Sequence, residues 1–360
     1  TGVALTYQKQ MTAWADKNLY AISAQPGSAP LAASELVAGY LRAQPGGAPT
    51  SLTLYSDPAM PASIAAGRNP AKFLHPYTGQ VLGEGSQGAR QFFKVMTDWH
   101  RWLALSGERR GAGRAITGAC NLAFLFLSVS GLYLWWPSQW TRGILRTIAW
   151  FRPGSRGKAR DWNWHHVFGF WCLVPLVLVI VSGVVISYPW ASRLLYRVAG
   201  SELAYQPGPP GSRGPQGPGG GPGARRPELQ LDGLDALVEN VRMRSEGWKS
   251  ITVPLSSAGG PTVAFTVEKG QGGQPQHRST MIMDRETGDF VRTEGYGAMD
   301  PGMRARIWMR FVHTGEYYGV AGQTIAGIAF AAGVLLVWTG FALTYRRFFA
   351  KGRANETVDR

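Results

Sequence analysis

The sequence predicts a membrane α-helical bundle that carries two small α+β domains outside the bilayer. Three observations predict it. Apolar residues gather into three uncharged blocks, aromatic rings mark the block ends, and the stretches between blocks alternate helix-like and strand-like patterns. Charged residues make up 16% of the 360-residue chain and 14 residues are tryptophan. A mean hydropathy of −0.11 is too polar for a uniformly buried chain, so the apolar residues must be concentrated. The blocks run Ala115–Trp136, Val167–Trp190 and Val320–Tyr345. Each exceeds the ~20 residues needed to cross ~30 Å of hydrocarbon. Trp135, Trp136 and Trp140 close the first block, Trp162, Trp164 and Trp171 open the second, and Tyr188 and Trp190 end it. Amphipathic rings collect at headgroup level.

Lys and Arg set the expected orientation. The short connection 137–164 carries Arg142, Arg146, Arg152, Arg156, Lys158 and Arg160 against Asp161 alone. The tail carries Arg346, Arg347, Lys351 and Arg353. Both are expected in the cytoplasm, which puts residues 1–114 and 191–319 on the far side. Arg109, Arg110, Arg114, Arg304, Arg306 and Arg310 flank the outer span ends, and long translocated regions are weakly governed by charge. This placement accounts for most of the +15 net charge. It argues against a nucleic-acid partner and for the lipid bilayer. Residues 1–7 read as the end of a truncated first span, which would make a fourth; removal of a signal peptide is the alternative. Cys120 and Cys172 are expected at different depths, as small packing residues without a disulfide.

The outer regions show an internal repeat. In residues 8–98, Ala33–Ala43 reads as a helix, Leu52–Tyr55 and Lys72–Leu74 as strands, and Pro76-Tyr77-Thr78-Gly79 as a turn before Gln80-Val81-Leu82. In residues 191–305, Leu234–Arg244 is the helix and Ser250–Pro254, Val263–Glu268 and Thr280–Asp284 the strands. Arg285-Glu286-Thr287-Gly288 is the matching turn. Residues 206–227 are almost entirely Gly, Pro, Gln and Arg, cannot bury a core and read as a disordered linker. The expected divisions continue as a His-bearing helix and span over 99–136, a cytoplasmic loop over 137–164 and a span over 165–190. A second His-bearing helix and span covers 306–345, followed by a tail over 346–360.

The repeat continues into the membrane. His100, in Trp99-His100-Arg101-Trp102, and His313, in Phe311-Val312-His313-Thr314-Gly315, each stand just before a span. His165 and His166 open the middle span at its opposite end. Neutral imidazole is a strong axial ligand of haem iron, and facing helices can supply one each. Arg101, Arg304, Arg306 and Arg310 are candidate partners for haem propionates. Adjacent residues on a helix diverge by about 100°, so only one of His165 and His166 can face a given haem. His75 and His277 read as surface positions. Histidines serving only as interfacial anchors are the structural alternative.

Together these residues resemble the PepSY-associated transmembrane proteins. The resemblance rests on Pro76-Tyr77-Thr78-Gly79, Trp99 to Leu103, Ser130 to Pro137, Trp164 to Trp171, Ser182 to Trp190 and His313 to Glu316. It implies a bacterial inner-membrane protein with periplasmic PepSY-like domains, similar to the haem-containing ferric-siderophore reductases of iron uptake. It further implies two b-type haems in the full-length protein, with His100 and His313 on the outer one. His165 would serve the inner one, opposite a histidine on the missing helix, with His166 as runner-up. The activity so implied passes electrons from a quinol or cytoplasmic reductant to an Fe(III)-siderophore, releasing Fe(II). The competing classes are a non-catalytic module that binds or regulates a periplasmic partner and a metal-transport component. Against transport, only Asn121, Ser128, Ser130, Ser182, Gln323 and threonines interrupt the spans.

Overall fold

The computed structural model describes residues 1–20, 22, 28–67, 69–201, 229, 231–255 and 260–349. The expected linker over 206–227 and the tail beyond 349 lie outside the described residues. The helices of the first half are α1 (Gly2–Leu5), α2 (Gln8–Leu19), α3 (Ala33–Ala43), α4 (Gln87–Trp102), α5 (Arg110–Trp135) and α6 (Arg142–Ala149). Those of the second are α7 (Gly157–Ser187), α8 (Pro189–Val198), α9 (Leu234–Arg244), α10 (Pro301–His313) and α11 (Gly319–Phe348). The strands are β1 (Ser51–Tyr55), β2 (Ala62–Ala66), β3 (Asn69–Leu74), β4 (Val81–Gly83), β5 (Ser250–Pro254), β6 (Thr262–Glu268), β7 (Arg278–Asp284) and β8 (Phe290–Gly295). The chain divides into two compact units. One comprises residues 1–6, 95–194 and 309 onward, the other residues 7–94 and 195–308.

In the first unit three helical stretches are long and apolar enough to cross a membrane: Gly107–Trp135, Gly157–Ser187 and Glu316–Phe348. Helix α7 is the central one, packed against α5, α6 and α11. Small residues let the helices close up; Gly333 of α11 sits against Leu176 of α7 and Phe124 of α5. Helix α5 presents Phe126, Leu127, Val129, Tyr133 and Leu134 outward, each more than half exposed. A continuous apolar face of this kind is stable against lipid, not water. Inside, the Asn121 amide donates to Ile180 O at 3.1 Å and Gln323 Nε2 to Thr6 O at 2.6 Å, so these polar groups are satisfied.

Helix α7 starts at Gly157, so His165 and His166 lie well inside a helix instead of at its opening. The charged residues 158–161 make that stretch look like loop. The structure neutralises the acid among them: Asp161, 1% exposed, is held 2.8 Å from Arg160 and 3.1 Å from Arg346 of α11. The His-bearing helix and the span expected over 99–136 are α4 and α5, and α4 starts earlier than expected, at Gln87. After α4 the chain turns through Leu103 (φ 53°) and Ala104 (φ 58°), a left-handed pair of non-glycine residues, before α5 begins.

The second unit is an eight-stranded antiparallel sheet ordered β4-β3-β2-β1-β5-β6-β7-β8. The two repeats, read from the sequence as two small domains, share this one sheet and one core. Strands β1 and β5 pair from Ser51↔Pro254 to Tyr55↔Ser250, centred on Thr53↔Thr252, whose hydroxyls lie 2.9 Å apart. Helices α3 and α9 join across the same centre through Ser34, whose amide and hydroxyl both donate to Asp235. Leu36, Val37, Leu52 and Ile64 of the first repeat share a cluster with Val241, Ile251, Val253 and Phe265 of the second. The physical reason is edge pairing: a small sheet alone leaves the outer backbone groups of β1 and β5 unbonded. Strand β2, Ala-Ser-Ile-Ala-Ala, escapes the sequence reading because small residues carry little strand signal. The repeat turns match in detail. Gly79 (φ 70°) and Gly288 (φ 74°) close them, with Gly79 N donating to His75 O and Gly288 N to Asp284 O. Helix α2 is fixed to the first turn of α4 by Asp16, which takes both Arg90 Nη atoms at 2.7 Å.

Candidate functional site

The site is built from the ends of two helices. Helix α4 carries His100 two residues before its end, and α10 finishes on His313. The two rings come together: their centroids lie 6.1 Å apart at an interplanar angle of 50°. Two nitrogen–metal bonds of roughly 2 Å, plus the roughly 1 Å from nitrogen to ring centre on each side, put the rings of two axial ligands about 6 Å apart. The separation therefore fits one metal centre between two imidazoles.

The hydrogen bonds orient both rings. His313 Nδ1 lies 3.1 Å from Val179 O and 3.1 Å from Ser182 Oγ, both on α7. The Ser182 hydroxyl donates to Val179 O at 2.8 Å, so its oxygen accepts from Nδ1–H. This assigns the proton of neutral His313 to Nδ1 and leaves Nε2 with its lone pair. His100 Nδ1 is 3.3 Å from Thr1 Oγ1, which likewise leaves Nε2 without a protein partner among the described residues. Desolvation among the packed helices, and then the nearness of His100, lower the His313 pKa from 6.5 to about 4. Burial, assisted by the charge of Arg101, lowers that of His100. Both rings are thus neutral, the form that binds a metal.

Gly183 makes room for this arrangement. A Cβ there would stand 2.9 Å from Asn121 Nδ2 and 3.4 Å from His313 Cε1. Phe330 of α11 lies edge-on to His313, with centroids 6.4 Å apart, and supplies an apolar wall. Arg101 and Arg310 belong to the same unit. Burial, then the charges of Arg310, Arg114 and Arg110, lower the Arg101 pKa, so these arginines form a cationic group. None of the four has a carboxylate within ion-pair distance among the described residues. Arg304 and Arg306 fall in the sheet-bearing unit. Arg304 lies 5.7 Å from the Tyr296 ring centroid, and its carbonyl accepts from the Tyr296 hydroxyl at 2.9 Å. His75 and His277 also fall in that unit.

At the other end of the bundle His165 and His166 diverge. His165 Nδ1 is 2.8 Å from Thr339 Oγ1 on α11, and that hydroxyl donates to Leu335 O at 2.7 Å. Nδ1–H is again the donor and Nε2 the open nitrogen. His166 stacks on Trp162, centroids 3.9 Å apart, and its Nδ1 donates to Trp162 O at 2.8 Å. The groups that orient the histidines, Ser182, Val179 O and Thr339, were not found by reading the sequence as ligand sites. Two of them were visible only as polar interruptions of apolar spans, and a backbone carbonyl has no sequence signal at all.

A family model described as the PepSY-associated TM region matches residues 1–347. Comparison with curated proteins gives no match.

Proposed function

The chain belongs to the PepSY-associated transmembrane family, and from that premise we propose that it is a bacterial inner-membrane oxidoreductase that reduces Fe(III)-siderophores at the periplasmic face. The observation that carries this reading is the pair of neutral imidazoles, His100 and His313, with ring centres 6.1 Å apart and Nδ1 of each already engaged. Such a pair suits b-type haem, which supplies one-electron redox chemistry when bound. His100 and His313 would hold it through Nε2. Val179 O and Ser182 fix the His313 tautomer and raise the basicity of its Nε2. Phe330 gives His313 an apolar neighbour, Gly183 leaves it room, and Arg101 and Arg310 offer charge-assisted bonds to carboxylates. His165, oriented by Thr339, would hold a haem on the cytoplasmic side. In this reading the sheet-bearing unit is periplasmic, and Fe(II), a weaker Lewis acid than Fe(III), leaves hard-oxygen siderophore ligands.

The visible absorption spectrum of the detergent-purified full-length protein tests the proposal. It should show a low-spin bis-imidazole haem that dithionite reduces and an Fe(III)-siderophore reoxidises. A protein purified without haem absorbance, and unable to take up added haem, overturns the reading.

A further inference from the structure

Helix α8 begins two residues after α7, the most apolar of the three candidate spans, has ended at Ser187. Tyr188, between them, is extended (φ −116°, ψ 122°), so α8 is a separate helix that starts where the chain leaves the span. Pro189 opens it, and a residue without an N–H suits the first helical position.

Three contacts hold this start beside the end of the span. The Ser192 hydroxyl donates to Val185 O, in the last turn of α7, at 2.7 Å. Arg114 Nη2 of α5 donates to Ser187 O at 3.0 Å. The Tyr188 ring lies against α5 at Gly118, where an added Cβ would stand 2.7 Å from its hydroxyl oxygen.

Along α8 two faces separate. Ala191, Ser192 and Tyr196 are buried. Trp190, Leu194 and Val198, each four residues from the next, are 49%, 53% and 79% exposed and make one apolar stripe. Arg193 and Arg197, also exposed, make the stripe beside it, and α8 contains no acid. One exposed apolar side chain needs no explanation, but three in register on a ten-residue helix do. Continuity with the span says what covers them. The stripe begins three residues beyond the end of a bilayer-crossing helix, and α8 is only about 15 Å long. Apolar side chains on one side and cations on the other are what a helix lying in the headgroup layer requires. A second copy of α8 fits worse, because pairing the stripes would bring two rows of arginines together without a carboxylate between them.

We propose that α8 is an interfacial helix seated in the phospholipid surface, with Trp190, Leu194 and Val198 in the acyl boundary and Arg193 and Arg197 at the level of the lipid phosphates. The helix holds the chain to the membrane where it passes out of α7, and this role needs no haem.

Spin labelling of the full-length protein in phospholipid nanodiscs tests the proposal. With the native thiols removed by Cys120→Ser and Cys172→Ala, single nitroxides are attached at Leu194→Cys, Val198→Cys and Arg193→Cys. Leu127→Cys on the outward face of α5 and Met243→Cys on exposed α9 are the lipid and water references. Power saturation compares collision with oxygen, which concentrates in lipid, and with a water-soluble nickel chelate. The oxygen-to-nickel ratio should be highest at 127, several-fold above the water reference at 194 and 198, lower at 193 and lowest at 243. Ratios at 194 and 198 equal to that at 243 overturn the proposal, because the stripe then faces water. Exclusion of both colliders from 194 and 198 also overturns it, because protein then covers the stripe. Positions 194 and 198 are read in separate variants, so one poorly folded variant leaves the other to decide.

Discussion

The two ends of the helical bundle each carry a pair of histidines and use them in opposite ways. His100 and His313 are distant in sequence, come from separate helices and converge to 6.1 Å. His165 and His166 are adjacent and diverge, one bonded to Thr339 on α11 and the other stacked on Trp162 within α7. Sequence adjacency therefore works against a shared metal on a helix, whereas a repeat that places one imidazole before each of two spans works for it. What the ends have in common is the orienting bond. In every one of the four histidines Nδ1 is engaged, and Nε2 has no hydrogen-bond partner among the described residues.

The largest test of the contrast removes a ligand. If both rings serve one centre as proposed, His100→Ala and His313→Ala should each abolish the same low-spin haem signal and siderophore reduction. His75→Ala and His277→Ala should leave spectrum and rate unchanged. Optical and paramagnetic-resonance spectra of the four variants decide it, and different signals lost on His100→Ala and His313→Ala would break the pairing.

A smaller effect compares two glycines. Gly183→Ala puts a methyl 2.9 Å from Asn121 Nδ2 and 3.4 Å from His313 Cε1, whereas Gly340→Ala meets His165 Cε1 only at 3.7 Å, ordinary contact. Haem content should fall several-fold in the first and stay near wild type in the second. Equal losses would show that helix packing, not room for His313, is what the glycines provide.

Next come the orienting groups. Thr339→Val removes the His165 Nδ1 partner and should cost about 10–100-fold in haem affinity at that end. Ser182→Ala should cost less, because Val179 O still holds His313 Nδ1 at 3.1 Å. Haem titration of the haem-free full-length protein measures both, and a larger loss in Ser182→Ala would reverse the assignment.

The smallest effect is a displaced pH dependence. With the His313 pKa lowered to about 4, the ring stays unprotonated as pH falls through the usual imidazole value of 6.5. Haem uptake by the haem-free protein at the His100–His313 end should then have its midpoint below 6.5, because both ligands are shifted down from that value. A midpoint near 6.5 would mean that one of the two imidazoles is solvated in the haem-free state.

Much was legible in the sequence. The three uncharged blocks were legible as membrane-crossing helices, and each lies in a helix long and apolar enough to cross a bilayer. Helices Ala33–Ala43 and Leu234–Arg244 stand at the residues expected, because amphipathic period and chain punctuation are local properties. The repeat also pointed to His100 and His313 as equivalents. Tertiary structure alone decided the rest. It joined the two repeats through β1 and β5 into one sheet, since which strand edge pairs with which depends on backbone groups common to every residue. It made residues 157–164 part of a helix and brought Arg346 to the Asp161 buried there. It chose the ring nitrogen left open in each histidine, through Val179 O, Ser182, Thr339 and Trp162 O. A sequence states which groups can bond; only the packed helices state which of them are close enough to do so.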